Sequence, residues 1–303
     1  MKTKLSVVIS AYNEQAMIED CLKSVKNLAD EIIFVDNTSQ DKTVEIAKKY
    51  TSKIFIRAND PVNLNKNKNF GFSKAAGEWI LSLDADERLI PRLSAEIKKS
   101  IRGSRYAGFE IPRKNIIFGK WIRHSLWWPD YNLRLFRRGR GKFPQQHVHE
   151  KLQVKGQVGK LESPMIHQNY QTVSQFIRKL DKTYTESECE NFLKGGKEIY
   201  WYDAIRWPAA DFVKTFFFQK GYKDGMHGLV LSIFQAFYAF VFFAKVWERK
   251  EKFKDMTPDN FLTETISEFQ KAAKDIRYWI YETLMRERPI IKIYYKIRRK
   301  IGK

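Results

Sequence analysis

The sequence predicts an α/β protein with a mostly parallel sheet, helices on both faces of that sheet, and a helical extension toward the carboxyl terminus. Over about the first 90 residues, strand-like apolar runs alternate with helical patterns, and this alternation is typical of a parallel sheet covered on both sides. The short apolar run at residues 79–83 ends abruptly in Asp84 and Asp86. From Thr172 onward the pattern is mostly helical.

Four strands are predicted in the first part, separated by helices. Ile18, Leu22 and Val25 recur at helical spacing after the first strand, and Asp41 is the expected N-cap of a second helix. A short helix through Phe72 closes at Gly77, after a polar segment at residues 63–69. The strands are expected at residues 5–10, 31–35, 53–56 and 79–83.

Polar side chains stand near the carboxyl ends of three of these strands. Glu14 follows the first strand, Asp36 the second, and Asp84 with Asp86 the fourth. In open α/β sheets the carboxyl ends of the strands form the ligand-binding edge. Two carboxylates at that edge commonly hold a divalent cation that is shared with substrate phosphates. The Asp-x-Asp pattern alone also occurs in ordinary loops. The prediction of a cation site therefore rests on the polar residues at all three strand ends.

The overall charge indicates a polyanionic partner. Lys and Arg exceed Asp and Glu by 20, and the pI is about 9.7. Nucleic acid, an anionic membrane surface and a phosphorylated substrate all fit this bias, as does a merely solvated basic surface. Cys21 and Cys189 form no metal spacing or disulfide framework, which fits a reducing compartment. Lys2 and Lys4, followed by a short apolar run, resemble the start of a signal peptide, but a first core strand explains this segment better.

Residues 106–166 are β-rich and irregular, and they contain a basic run and a His-Glu segment. The run Arg134, Arg137, Arg138 and Arg140 suits a phosphorylated acceptor, and a solvated basic loop fits it equally well. His147 and His149 flank Glu150 and could orient a neighbour, contact phosphate or bind a metal. A zinc-protease motif is excluded because Gln153 stands where the second histidine is needed.

The extension contains three notable segments. Residues 201–219 are crowded with aromatic side chains, and residues 228–244 carry no charge. The uncharged segment, about 25 Å long as a helix, is marginal for crossing a hydrocarbon core of about 30 Å. We therefore expect it to lie in or dip into a membrane face, with a buried core helix as the alternative.

A long helix is expected from Pro258, with an apolar stripe that is either a coiled-coil seam or, as we favour, a buried face. The basic, aliphatic residues 292–303 suit an anionic lipid surface.

Several segments resemble known motifs of family 2 glycosyltransferases of the GT-A fold, which is Rossmann-like. Four of them stand in the order and spacing of that family: residues 6–14 (SVVISAYNE), 35–43 (VDNTSQDKT), 67–71 (NKNFG) and 83–87 (LDADE). Three more are similar to the subgroup of lipopolysaccharide inner-core β-glucosyltransferases: residues 133–138 (LRLFRR), 148–152 (VHEKL) and 220–228 (KGYKDGMHG). The resemblance spans residues 4–248.

The change to a helical pattern near Tyr170, taken together with this resemblance, predicts a domain organisation. Residues 1–170 would form the GT-A catalytic domain, with nucleotide-sugar binding in 1–90 and the acceptor and base region in 105–170. Residues 171–303 would form the membrane-associating helical extension.

The resemblance also implies roles for individual residues. Ala11, Tyr12 and Glu14 would line the nucleotide pocket, and Asp36 would accept a hydrogen bond from the base. Lys68, often an arginine in relatives, would lie near the diphosphate; Lys42 replaces a common glycine. The remaining implied roles are Asp84 at the ribose or metal, Asp86 as direct ligand of Mg²⁺ or Mn²⁺, and Glu150 as general base. From their charge and position, Arg134, Arg137 and His149 are expected to contact the acceptor or its phosphate.

The function so implied is inverting transfer of a hexose from a nucleotide sugar, with UDP expected as the nucleotide. The acceptor would be a lipid-linked or phosphorylated saccharide such as lipopolysaccharide core. The enzyme would be cytoplasmic and peripheral on the inner face of the cell membrane, against an anionic surface. A polyprenyl-phosphate sugar transferase shares the N-terminal half and is the main alternative, although residues 134–150 argue against it. A nucleic-acid-binding protein is the remote alternative, because the sequence contains no recognised nucleic-acid module.

Overall fold

The computed structural model of the chain describes residues 4–60, 64–144, 150–288 and 292–301. It forms two compact units. Unit 1 comprises residues 1–121 and 127–171, and unit 2 comprises residues 122–126 and 172–303. The short segment 122–126 therefore leaves unit 1 between two of its strands and belongs to the helical unit.

Unit 1 is built on a mixed sheet with four described helices. Its strands are β1 Leu5–Ala11, β2 Glu31–Asp36, β3 Ile54–Ile56, β4 Trp79–Asp84, β5 Glu87–Leu89, β6 Gly108–Ile117, β7 Lys120–Trp121, β8 Asp130–Arg137, β9 Gly141–Lys142, β10 Gln153–Val154, β11 Val158–Lys160 and β12 Met165–Tyr170. Its helices are α1 Ile18–Val25, α2 Thr43–Lys48, α3 Leu64–Ser73 and α4 Pro91–Ser100.

The main sheet confirms the predicted mostly parallel arrangement. Its strand order is β3-β2-β1-β4-β8-β6-β12-β5, with β7 and β11 paired to β6. The first four strands in this order are mutually parallel. Strand β8 then runs antiparallel to both β4 and β6. β9 and β10 form a separate two-stranded ribbon.

Helices cover both faces of the sheet, as predicted. Successive side chains of a strand point to opposite faces, and in β1 this places Val7 and Ile9 in one hydrophobic cluster and Val8 in another. The first cluster includes Leu22 of α1, and the second includes Phe72 of α3. Strand β1 is therefore buried on both sides, which explains its unbroken apolar run.

The helix α3 begins earlier than predicted. The sequence suggested a polar connection at residues 63–69, whereas α3 already begins at Leu64. Its asparagines have specific partners: Asn67 donates to Asn37 Oδ1 at 2.6 Å, and Asn69 donates to the Phe143 carbonyl at 2.9 Å. Because these bonds satisfy the amide groups, a polar helix face can be buried here.

The described part of unit 2 is mostly helical from Val173 onward, as predicted. Its α-helices are α5 Val173–Lys179, α6 Thr185–Lys194, α7 Asp203–Phe212, α8 Met226–Val246, α9 Phe261–Glu287 and α10 Lys292–Ile301. Shorter helical pieces are the π-helical stretches Leu180–Tyr184, Val213–Phe218 and Trp247–Glu251 and the 3₁₀ turn Gly221–Asp224.

The segment 220–228 makes a tight junction before α8. A side chain at Gly228 would place its Cβ 1.8 Å from the Gly221 carbonyl oxygen, so only glycine fits this close approach. Asp224, 3% exposed, accepts backbone hydrogen bonds from Arg123 at 3.2 Å and His124 at 2.9 Å. The junction thereby holds the inserted segment 122–126 within unit 2.

Two features of unit 2 differ from the sequence prediction. Helix α8 has 21 residues, or about 31 Å, rather than the expected 17 residues. With its π-helical continuation, Met226–Glu251 is long and apolar enough to cross a membrane by length and composition alone. Helix α9 begins at Phe261 rather than Pro258, and the preference for a buried stripe was wrong, because Leu262 and Phe269 are 73% and 60% exposed.

Candidate active site

The carboxyl ends of β2, β1 and β4 lie side by side at one edge of the sheet. Ala11 is paired with Asp36, and Ser10 is paired with Asp84. The residues predicted from three separate strand ends are therefore brought together by strand register. Tyr12, which follows β1, is 41% exposed, and the Glu14 backbone amide is fixed by the Thr43 hydroxyl at 2.8 Å.

Asp36 forms a buried acceptor at this edge. Its side chain is 1% exposed, and Oδ2 accepts a hydrogen bond from the Ser39 amide at 2.8 Å. Within the part of the chain that the structure describes, the buried Oδ1 has no hydrogen-bond partner. An unsatisfied buried acceptor is costly, and it is the kind of group that a ligand N–H satisfies.

Asp84 is held between two cations. Its Oδ1 lies 2.5 Å from Lys68 Nζ, and its Oδ2 lies 2.6 Å from Arg134 Nη2. Burial acts to raise the pKa of Asp84, but the charges of Arg134 and Lys68 outweigh burial and hold that pKa well below its usual range. Asp84 is consequently an ionised carboxylate with both oxygens engaged.

Arg134 also binds Glu87, a residue that the sequence interpretation left without a role. Glu87 is fully buried and lies 2.6 Å from Arg134 Nη2, and it accepts the Asp84 backbone amide at 2.9 Å. Glu87 stands in the matched segment LDADE, and this position was the only signal that could have found it. Arg134, 6% exposed, organises the turn after β4, and its predicted contact with an acceptor phosphate stays a prediction.

Asp86 is approached by a histidine from a distant strand. His167 Nε2 of β12 lies 3.4 Å from Asp86 Oδ2, and His167 Nδ1 lies 2.6 Å from Asn115 Oδ1 of β6. Asn115 also donates to Asp130 at 3.1 Å. Both His167 and Asn115 were missed by the sequence interpretation, because no local motif marks a single histidine in a strand.

Glu150 lies next to α3. Its Oε1 accepts a hydrogen bond from Asn65 Nδ2 at 3.2 Å, and Asn65 is 7% exposed. The predicted neighbours His147 and His149 lie outside the described residues. Asn65 is a further residue that sequence reasoning did not single out.

Arg137 is not brought to this edge. It is paired with Trp79, the first residue of β4, whereas Asp84 is the last. Its guanidinium binds Glu78 and donates to the Ser104 carbonyl at 2.7 Å. Trp79 and Asp84 are the two ends of β4, so about 16 Å of strand separates Arg137 from Asp84. The predicted basic patch is therefore split, with Arg134 near Asp84 and Arg137 near Trp79.

Four of the segments that resemble the family motifs meet at one edge of the α/β sheet through strand pairing and the contacts of Asn67 and Lys68: residues 6–14, 35–43, 67–71 and 83–87. The family model described as Glycosyl transferase family 2 matches residues 6–155, so the chain carries a domain of that family.

Two bacterial proteins illustrate the similarity along most of the chain. A glycosyltransferase of Rickettsia typhi, itself uncharacterised, is 28% identical over 278 residues, which cover 86% of this chain and 92% of that protein. The lipopolysaccharide core biosynthesis glycosyltransferase LpsC of Rhizobium meliloti is 27% identical over 259 residues, which cover 82% of this chain and 93% of LpsC.

Among solved structures, S. aureus TarS in complex with UDP-GlcNAc is a distant neighbour. Its TM-score is 0.46 at 15% identity, with 78% of this chain and 81% of TarS covered.

Proposed function

We propose that this protein is an inverting glycosyltransferase that moves a hexose from a UDP sugar to a lipid-linked saccharide such as lipopolysaccharide core. One observation carries the proposal: Asp36, whose buried Oδ1 has no hydrogen-bond partner among the described residues, and the Asp84–Asp86 turn stand at the ends of the two strands that flank β1. A nucleotide at this edge can satisfy the first group with its base and direct its phosphates toward the second.

The donor half of the site is supplied by three strand ends and α3. Asp36 Oδ1 accepts a base N–H, and Ala11, Tyr12 and Glu14 line the pocket beside it. Lys68 of α3 lies 2.5 Å from Asp84. A lysine is a flexible point charge, so Lys68 can also contact the diphosphate and stabilise the charge that develops there.

The donor set at Asp86 fits a divalent cation. Both oxygens of Asp84 are engaged by Lys68 and Arg134, which favours Asp86 over Asp84 as the ligand. Among the described residues no group of three or more His, Cys, Asp or Glu side chains is arranged to hold a metal. One or two carboxylates completed by substrate phosphates are sufficient for Mg²⁺, and His167 lies beside Asp86. When bound, Mg²⁺ or Mn²⁺ would act as a Lewis acid on the departing diphosphate.

Glu150 is the proposed general base on the acceptor side. It removes the proton from the acceptor hydroxyl while that oxygen attacks the anomeric carbon, and the bond to the diphosphate oxygen breaks in the same step. Asn65 holds one carboxylate oxygen at 3.2 Å and thereby fixes the orientation of Glu150. A single displacement inverts the anomeric centre, so an α-linked donor yields a β-linked product.

The acceptor class is supported by similarity and by charge. LpsC, which matches over 93% of its length, is named for lipopolysaccharide core biosynthesis. A net charge of +20 complements an anionic, lipid-linked saccharide. An acceptor of this kind places the enzyme in the cytoplasm, peripheral on the inner face of the cell membrane.

Release of nucleoside diphosphate from a panel of nucleotide sugars tests the proposal. We expect slow hydrolysis of one UDP sugar without acceptor, and faster release when a truncated lipopolysaccharide core is added. Acceleration by a polyprenyl phosphate instead of a core saccharide would establish the alternative transferase class. Release from none of the UDP sugars, with or without acceptor, would refute the donor assignment.

A further inference from the structure

Exposed hydrophobic side chains are concentrated in unit 2. Of 22 large hydrophobic residues that are exposed in the described part of the chain, 19 belong to unit 2 and only three to unit 1. Soluble monomers rarely leave extensive apolar surface uncovered. Unit 2 therefore requires an apolar partner that unit 1 does not.

Helix α8 presents one continuous apolar face. Met226, Ile233, Phe237 and Phe240 are 72%, 50%, 44% and 46% exposed, and their spacing puts them on one side of the helix. This α8 stripe extends about 21 Å along the helix axis. Residues 228–244 include no charged side chain that could interrupt it.

Away from the apolar stripe, the middle of α8 forms hydrogen bonds with carboxyl groups of other helices. Gln235 Nε2 donates to Asp211 Oδ2 at 3.0 Å. Burial and a hydrogen bond with Glu188 raise the pKa of Tyr238. If α8 crossed a bilayer, Asp211 and Glu188 would enter the hydrocarbon core with it, where acidic side chains are costly. A helix with one apolar face and one polar face instead lies along an interface.

Two further elements combine exposed apolar groups with positive charge. Phe253, 60% exposed, stands between the exposed Lys252 and Lys254 just after α8. Helix α10 has the sequence KIYYKIRRKI, with five basic and no acidic residues. Its Ile293, Tyr294 and Ile297 are 76%, 52% and 52% exposed. Such basic amphipathic segments bind anionic lipid surfaces.

We propose that unit 2 binds the surface of an anionic lipid bilayer, with α8 lying along the interface rather than crossing it. Helix α9 adds the exposed Leu262, Ile266 and Phe269, so three helices and a loop all present apolar groups. A second copy of the chain would cover one helix face, whereas a fluid bilayer can cover all of them. The basic residues of α10 and of the loop after α8 select anionic headgroups over neutral ones.

Vesicle sedimentation with the purified full-length chain tests this proposal. We expect binding to vesicles of phosphatidylcholine mixed with phosphatidylglycerol, and much weaker binding to phosphatidylcholine alone. The double variant Phe237→Gln, Phe240→Gln should reduce the partition coefficient about tenfold or more. Lys292→Gln with Lys296→Gln should reduce it about tenfold at low salt and much less at high salt.

Matched controls use equivalent residues away from these surfaces. Val158→Gln alters a 38% exposed hydrophobic residue of unit 1, and Lys48→Gln with Lys49→Gln removes the same charge from the end of α2. Both controls should bind vesicles like the parent chain. Equal binding to neutral and anionic vesicles, or parent-like binding by the α8 variant, would overturn the proposal. So would a dimer in light scattering that the α8 variant converts to monomer.

Alkaline carbonate extraction decides the orientation of α8. We expect carbonate to release the chain from membranes of expressing cells, and resistance to extraction would show that α8 crosses the bilayer. These measurements require neither donor nor acceptor. Their failure is therefore distinguishable from failure of the proposed sugar transfer.

Discussion

The imidazole Nε2 of His167 lies 3.4 Å from Oδ2 of Asp86, although about 80 residues separate them in the chain. Asn115 fixes the other ring nitrogen at 2.6 Å. Asp84, two residues before Asp86, is instead bound by Lys68 and Arg134. The two aspartates of one short motif thus have different partners. Substituting Asp84 and substituting Asp86 should therefore have different effects.

Asp86→Ala is expected to abolish metal-dependent turnover while leaving the thermal unfolding midpoint nearly unchanged. The reason is that Asp86 is the proposed carboxylate ligand at the edge of the sheet. Nucleoside diphosphate release should be measured across a Mn²⁺ titration, together with direct Mn²⁺ binding by electron paramagnetic resonance. Asp20→Ala, at a carboxylate that is 63% exposed on α1, is the matched control. Unchanged rates in Asp86→Ala would remove the metal assignment.

Asp36→Asn is expected to weaken UDP binding by about tenfold or more, because an amide nitrogen would replace one of the two buried acceptor oxygens. Isothermal titration with UDP measures the effect. The neighbouring Asn37 is held by its own hydrogen bond from Asn67, so the substitution of Asp36 should alter only the Asp36 side chain. Equal UDP affinity in the variant and the parent would contradict a contact between Asp36 and the base.

Glu150→Gln is expected to retain donor binding and to reduce transfer by about 10²- to 10⁴-fold, the usual contribution of a general base. Its hydrogen bond with Asn65 can persist because glutamine keeps an acceptor oxygen. Single-turnover transfer should be compared with UDP-sugar affinity in the same preparation. Glu162→Gln, at an exposed residue of unit 1, is the control. Normal transfer by Glu150→Gln would place the base elsewhere.

Arg134→Met is expected to destabilise unit 1 by about 3–5 kcal/mol, because it leaves Asp84 and the fully buried Glu87 without their shared cation. Urea unfolding at neutral pH measures the loss. Arg92→Met, at an exposed arginine of α4, should change stability by less than about 0.5 kcal/mol. A small loss in Arg134→Met would mean that Arg134 serves ligand binding rather than the fold.

Stability is expected to fall as the pH is lowered from about 4.5 to about 2, partly through Glu31. Burial acts to raise the pKa of Glu31, but hydrogen bonds from Lys53, Ser6 and Ala76 outweigh it and lower that pKa to about 2. A depressed carboxyl pKa stabilises the folded state above the unfolded value of 4.5, and this contribution is lost as pH falls through 2. It amounts to up to about 3 kcal/mol.

Unfolding free energies at several pH values test this expectation. Glu31→Gln should flatten the acid limb of the stability profile, whereas Glu45→Gln, at an exposed residue of α2, should leave it unchanged. An identical acid limb in Glu31→Gln and the parent would show that other carboxyl groups determine it.

Much of the fold was predictable because its signals are local. Strands β1, β2 and β4 are short apolar runs with polar side chains at or just beyond their carboxyl ends, so their type and their functional edge could be inferred before any pairing was known. Helix α3 was harder to predict. Its asparagines resemble a loop until the partners Asn37 and Phe143, far away in the chain, satisfy them.

The candidate site was predictable only where a residue belongs to a contiguous motif. Asp36, Asp84 and Asp86 were found in this way. His167, Asn115 and Asn65 were not, because each acts through a neighbour supplied by another element. Arg134 and Arg137 look equivalent in sequence, but Arg137, the last residue of β8, pairs with Trp79 at the start of β4, whereas Arg134, three residues earlier, reaches Asp84 and Glu87 beyond the other end of β4.

The sequence by itself determined the α/β class, the acidic edge and the helical nature of the extension, since these depend on hydrophobic period and on residues adjacent along the chain. Only the tertiary structure decided which cation binds which carboxylate, that Arg134 is interior, and that the apolar stripe of α9 is exposed. Those outcomes depend on strand register and helix packing between distant segments, which no local pattern encodes.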